Sequence, residues 1–250
     1  VYYDLTARIA TDLVEGQVGD AGVAGRSLTV TNSGTSAQFI GATESDKVYY
    51  VAPHGVDALH SGRNQSTPFA SIKYACEQAG ANATIFVKTG SYTEELPIVV
   101  GDNTAVVGDN QRTVLVHAAA GFETGTMWKL SNGAILNKMT FKGMTGWVPG
   151  STPDDITTST PAGIAVAFNE LSPVTTKSPY VLECSFIGSG GIGVYVDGSV
   201  HATGNKSMIF HGYTIISDNG VGYWIDNGAL AELVSNFTYF CYFGYTCTDG

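Results

Sequence analysis

Charge is what this sequence has least of. Asp, Glu, Lys and Arg make up 14% of its 250 residues, against roughly 25% in an average domain. Only 12 of these residues are basic and 22 are acidic, a formal charge of −10. Anionic polymers and lipid headgroups gain nothing from such a surface, so neither nucleic-acid binding nor membrane insertion is expected. No apolar run approaches the 18 or so residues of a membrane-spanning helix, and no basic segment followed by an apolar stretch opens the chain. The four cysteines, Cys76, Cys184, Cys241 and Cys247, lack the paired spacing of zinc ligands and read as buried small hydrophobes. His54, His60, His117, His201 and His211 show no metal-ligand spacing, and no Ser, His and Asp carry a nucleophile signature. No metal and no cofactor is expected.

Glycine is abundant instead, with 31 residues, beside 44% hydrophobic and 11% aromatic content. That apolar surface is enough to offset the entropy of ordering the chain. The glycines also mark a repeat. Gly191-Ile192-Gly193-Val194-Tyr195-Val196-Asp197 and Gly220-Val221-Gly222-Tyr223-Trp224-Ile225-Asp226 share one pattern, Gly-x-Gly-apolar-aromatic-β-branched-Asp. A looser copy, Gly244-Tyr245-Thr246-Cys247-Thr248-Asp249-Gly250, has one extra residue before its Asp. Short strands at this period suit a solenoid whose turns stack on one another. A β-propeller is the rival, but its four-stranded period of roughly 40 to 45 residues is absent.

In a parallel coil, like residues stack about 4.8 Å apart and alternate residues point into a narrow core. Ile85, Val87, Ile98, Val100, Val106, Val114 and Val116 show that alternation. At about 25 residues per coil, the stretch from Thr84 to Gly250 gives six or seven coils along an axis of roughly 30 Å. Thr67 to Gly80 reads as a helix, with Thr67 as N-cap, Pro68 at the first helical position and Gly80 past the end. Its apolar stripe, Phe69, Ile72, Cys76 and Ala79, is expected to lie over the N-terminal end of the core, because open strand edges need covering. Residues 1–47 read as an extension or linker with short strands at Ser27–Val30 and Ala37–Ile40. The segment Pro149–Pro161, with three prolines, is expected to project as a surface loop. Val at position 1 and a last segment that stops within a pattern lead to the expectation of a piece of a longer chain, the coil of residues 48–250 continuing beyond it.

Three stretches together carry a resemblance: Val48-Tyr49-Tyr50-Val51-Ala52-Pro53-His54-Gly55-Val56-Asp57, the helix beginning Thr67-Pro68-Phe69-Ala70-Ser71-Ile72, and Thr84-Ile85-Phe86-Val87-Lys88-Thr89-Gly90-Ser91-Tyr92. This succession resembles the N-terminal cap and first coil of right-handed parallel β-helix proteins of the pectate-lyase-like group. The Gly-x-Gly-aromatic-Asp repeats and the aromatic run from Phe237 to Tyr245 are similar to virion structural proteins of marine tailed phages, cyanophages in particular. The resemblance implies an all-β, single-stranded right-handed parallel β-helix with an N-terminal capping helix and a short N-terminal extension. It further implies a rigid tail-fibre, tailspike or surface-appendage component of the virion. Its partners are then other virion proteins, host surface glycan and, since many such proteins are trimers, two further copies of itself. An exposed apolar stripe along one side of the coil favours such a trimer, and a wholly polar outside favours a lone rod.

Glycan depolymerisation, by hydrolysis or by a lyase reaction, is the alternative function. It needs convergent carboxylates, and the one candidate is an acidic column of Asp197, Asp226 and Asp249 standing about 5 Å apart on successive coils. Asp before Gly or Asn-Gly is also ordinary turn chemistry, so both readings stand at this point. Asp154 and Asp155 are adjacent, point to opposite sides of an extended chain and make no acid/base pair. Of Tyr223 and Trp224, one faces outward, for stacking on a sugar or for packing.

Overall fold

The computed structural model describes residues 47–201 and 206–248. The extension expected over residues 1–47, with its two short strands, therefore lies outside the described residues but for Lys47. The described residues begin with strand β1 (Val48–Val51) and helix α1 (Ile72–Ala79) and then wind through six coils of three short strands each. The first coil is β2 (Thr84–Val87), β3 (Gly90–Glu94) and β4 (Ile98–Val100), and the second is β5 (Ala105–Gly108), β6 (Val114–Ala118) and β7 (Thr126–Leu130). The third is β8 (Ile135–Asn137), β9 (Thr140–Lys142) and β10 (Ile164–Phe168), and the fourth β11 (Tyr180–Leu182), β12 (Ser185–Ser189) and β13 (Ile192–Asp197). β14 (Ser207–His211), β15 (Thr214–Asp218) and β16 (Val221–Asp226) form the fifth; β17 (Leu230–Val234), β18 (Phe237–Tyr239) and β19 (Phe243–Thr248) form the sixth.

Each coil gives one strand to each of three sheets. The first sheet runs β1-β2-β5-β8-β11-β14-β17, the second β3-β6-β9-β12-β15-β18 and the third β4-β7-β10-β13-β16-β19. Neighbouring strands pair in parallel throughout. This is the parallel β-helix topology, and each sheet is open at both ends. Inward side chains stack into columns, as the period-two alternation predicts: Ile85, Val106, Leu136, Val181 and Phe210 in the first sheet, and Val116, Phe141, Phe186 and Ile215 in the second. All are fully buried, as are the seven residues whose alternation marked the core. Each contributes about 1.5–3 kcal/mol by leaving water, so the stack itself holds the fold together. Val194 pairs with Tyr223, and Tyr223 with Tyr245, which places the three sequence repeats one above another.

Four local expectations need correction. The helix begins at Ile72 and not after Thr67; Ser71 is its N-cap, its Oγ accepting the Tyr74 N–H at 3.3 Å. The preceding residues are held extended, because the Phe69 N–H donates to the Tyr50 carbonyl and the Phe69 carbonyl accepts from Ala52, so Phe69 bridges Val51 as a strand residue. Ile72, Ala75, Cys76 and Ala79 are buried, and α1 packs against β1 to β4.

The segment Pro149–Pro161 is largely exposed but does not simply project. Ile156, in a 3-10 turn over Ile156–Thr158, and the preceding Trp147 fold back on the outer face of the third sheet. There they bury Ile164, Ile192, Val221 and Trp224 in a second small core. Cys76 and Cys184 are buried as expected, whereas Cys241 is half-buried and Cys247 exposed. Cys247 is in register with the inward Ile225, yet it belongs to the last coil, where Leu233 and Tyr245 are likewise open to solvent. The column of carboxylates is the fourth correction, taken up with the site.

Candidate functional site

The repeat places its distinctive residues on β13, β16 and β19 of the third sheet. Strand pairing skips one stacked residue per strand, Gly193, Gly222 and Gly244, and the register is the same on either side. The skipped residue faces inward: a Cβ on Gly193 meets the Ile215 side chain at 2.5 Å, and one on Gly222 meets the Gly244 carbonyl. Its inward successor, Val194 or Tyr223, fills the core, and the next residue, Tyr195 or Trp224, points out. The first glycine of each repeat marks the turn from the second sheet. There the buried Ser217 hydroxyl donates to the Gly191 carbonyl at 2.8 Å, and the Gly191 N–H donates back to Ser217 Oγ at 3.3 Å. Gly-x-Gly is thus a signature of close coil-to-coil approach.

Asp197 and Asp226 are register partners on the outer face. The position stacked on Asp226 in the last coil is Thr248, because the third repeat carries one extra residue. Asp249 lies outside the described residues. The column is therefore Asp, Asp, Thr. Three of its four carboxylate oxygens accept hydrogen bonds: Asp197 Oδ1 accepts from the Ser199 N–H at 2.9 Å and from Asn227 Nδ2 at 2.8 Å. Asp226 Oδ1 accepts from the Asn227 N–H at 2.9 Å and the Thr248 hydroxyl at 2.6 Å, and its Oδ2 from the Tyr195 hydroxyl at 3.3 Å. Asn227 thus ties the two carboxylates, and with them two coils. Burial and the two carboxylates push the Tyr195 phenol well up, so it remains a protonated donor.

Trp224 is the outward member of the Tyr223–Trp224 pair, but it is only 3% exposed. Its ring meets Tyr195 edge-on at 5.0 Å and its Nε1 donates to Thr248 Oγ1 at 3.0 Å. It is packed away from any sugar. Tyr195, Thr248 and Asn227 went unread in the sequence; the Asn after Asp226 and the offset of the third repeat were the available signals.

Elsewhere, Asp155 caps the 3-10 turn, its Oδ1 accepting from the Thr157 N–H and hydroxyl at 3.0 and 2.6 Å, which holds its carboxyl below the usual range. His201 is buried against Phe168, and that burial lowers its pKa. Among the described residues no three His, Cys, Asp or Glu side chains converge as metal ligands. A shallow hollow at the start of α1, lined by Asp57, Lys73, Glu77, Glu94 and Glu95, lies far along the chain from the repeat. There Glu94 accepts from the Ile72 and Lys73 N–H groups, so the protein's own carboxylate fills the anion position of the helix N-terminus.

Fold and face together define a parallel β-helix protein. No protein family and no curated protein sequence matches the chain. Among solved structures it is similar to pectin methylesterase PemA from Erwinia chrysanthemi, at 16% identity and a TM-score of 0.40, over 78% of this chain and 56% of that one. It is also similar to a mutant pectin methylesterase in complex with hexasaccharide IV, at 16% identity and a TM-score of 0.40, over 74% of this chain. The chain spans 56% of the length of each of these structures.

Proposed function

We propose that the chain is a noncatalytic, rigid structural element, a tail-fibre, tailspike or surface-appendage component of a phage particle. It presents its loops to host surface glycan or to neighbouring virion proteins and works together with copies of itself. One observation carries this reading: the outward carboxylates of the repeat, Asp197 and Asp226, each accept a hydrogen bond from the following coil, Asp197 from Asn227 and Asp226 from Thr248. A residue so engaged serves stiffness. The winding is right-handed on this reading, in keeping with the rule for parallel crossovers, and α1 serves as the cap over the first coil. Exposing host-envelope glycan to the purified chain should leave it intact, and antibody labelling should place the chain on the particle. Turnover that disappears in Asp226→Asn would overturn the proposal.

A second reading, a glycan depolymerase acting along the outer face, is favoured by the register pairing of Asp197 with Asp226 beside Tyr195. Paired carboxylates at that spacing suit a retaining glycosidase. It requires that each Asp→Asn variant lose turnover while keeping the parent's melting temperature.

A further inference from the structure

The outer face of the first sheet has no covering element among the described residues. Two outward columns run its length. In one, Tyr50, Phe86 and Val107 stand on successive strands, with the Tyr50 and Phe86 rings stacked at 5.8 Å. In the other, Ile135, Tyr180 and Ile209 do the same. Phe86 is 38% and Tyr180 39% exposed. From β1 to β11 neither column holds a charged side chain; His211 and Glu232, on the last two strands, are the first ionisable acid–base groups besides tyrosine. The neighbouring charges along one rim are already paired within the chain, Lys88 with Asp109 at 3.5 Å and Lys138 with Glu183 at 3.9 Å. An apolar centre with a neutralised polar rim is the anatomy of a protein interface.

We infer that this face is covered by a second copy of the same chain, the two first sheets packed face to face about a two-fold axis. Charge selects that occupant. At a formal charge of −10 two copies repel each other over most of their surface, and they approach most readily where neither presents charge. A basic or acidic partner gains nothing there. Geometry agrees. Both faces carry rows about 4.8 Å apart, so the ridges of one match the grooves of the other, at the roughly 10 Å spacing of packed sheets. Seven strands of about four residues offer a flat area of roughly 29 Å by 13 Å per copy. Two such faces bury roughly 750 Å² before corrugation and rim are added, below the 1,200 Å² or so at the low end of specific interfaces, which predicts a weak, reversible dimer. The same geometry disfavours the trimer expected from the sequence for this face. A flat face is fully covered only by one opposing it, whereas three faces around a three-fold axis meet at an angle and touch along their rims.

Sedimentation velocity of the full chain, from about 0.1 to 100 µM, tests this, and its outcome is independent of whether the rod is an appendage or an enzyme. The expected result is a concentration-dependent shift from the 26.2 kDa chain to a species of twice that mass. Phe86→Lys with Tyr180→Lys should weaken association at least tenfold, and Ile187→Lys, exposed on the second sheet, should leave it unchanged. A photo-crosslinking residue in place of Val107 guards against a double variant that fails to fold: its product should have twice the chain mass. A monomer at every concentration, a three-copy species indifferent to the double variant, or a crosslink confined to one chain would each overturn the inference.

Discussion

Gly220→Ala puts the close approach of successive coils to the test. A Cβ at this position stands 2.2 Å from the Gly191 carbonyl oxygen and 2.1 Å from Ser217 Oγ, where ordinary contact begins at 3.4 Å. The fifth coil must retreat from the fourth by at least 1.2 Å, about a quarter of the strand spacing. It must also give up the bond in which Ser217 donates to Gly191. Overpacking costs about 1–3 kcal/mol and the hydrogen bond about 1 kcal/mol, so roughly 3 kcal/mol is expected. In a domain of this size that lowers the melting temperature by about 6–12 °C. Gly228→Ala is the control. Its φ is +70° and nothing lies within 4 Å, so it costs only the left-handed backbone penalty of about 1 kcal/mol, or about 2–4 °C. Thermal unfolding followed by circular dichroism separates the two. If Gly220→Ala shifts the transition no further than Gly228→Ala, the coils are not in the contact described.

Thr248→Val removes the hydroxyl that donates to Asp226 and accepts from Trp224; a loss of about 2 kcal/mol is expected in the same measurement, together with a red shift of Trp224 emission as the last coil loosens. Glu94 gives a pH prediction. Burial raises its pKa above the ordinary 4.5, against the two backbone N–H groups it accepts. A carboxyl that keeps its proton to higher pH in the folded chain contributes stability that is complete below 4.5 and is lost as pH rises through the raised value. Glu94→Gln should therefore flatten the decline in melting temperature between about pH 4.5 and 7, and an unchanged slope would show that Glu94 titrates normally. Glu94→Ala, which leaves the Ile72 and Lys73 N–H groups without an acceptor, should cost about 3 kcal/mol at any pH.

The stack was legible because a buried column needs only period-two alternation and a repeat, and Ile85, Val106, Val116, Val194 and Tyr223 supply both. Gly193 and Gly222 were legible only as a motif; what requires glycine there is a close contact between coils that no single repeat reveals. What misled was local. Pro68 at a helical first position was outweighed by the strand bonds of Phe69, whose partners Tyr50 and Ala52 lie distant in sequence. Ile156 in a polar loop, together with Trp147 just before it, folds that loop onto the third sheet. A single inserted residue puts Thr248 in the column, at the position expected for an Asp. The bare face of the first sheet was hidden for the opposite reason: strands such as Thr84-Ile85-Phe86-Val87 are apolar on both faces, so alternation identifies the core and says nothing of Phe86.

Register is the claim on which everything else stands, and a disulfide measures it directly. With Cys241 and Cys247 replaced by Ser, Ile187→Cys and Ile216→Cys put thiols on directly stacked outward positions of β12 and β15. At about 4.8 Å between Cα atoms they lie within disulfide range. Mild oxidation is predicted to close that bridge within one chain, while Ile187→Cys with Thr214→Cys, two residues out of register, stays reduced. Closure of the second pair, or failure of the first, contradicts the stacked parallel coil.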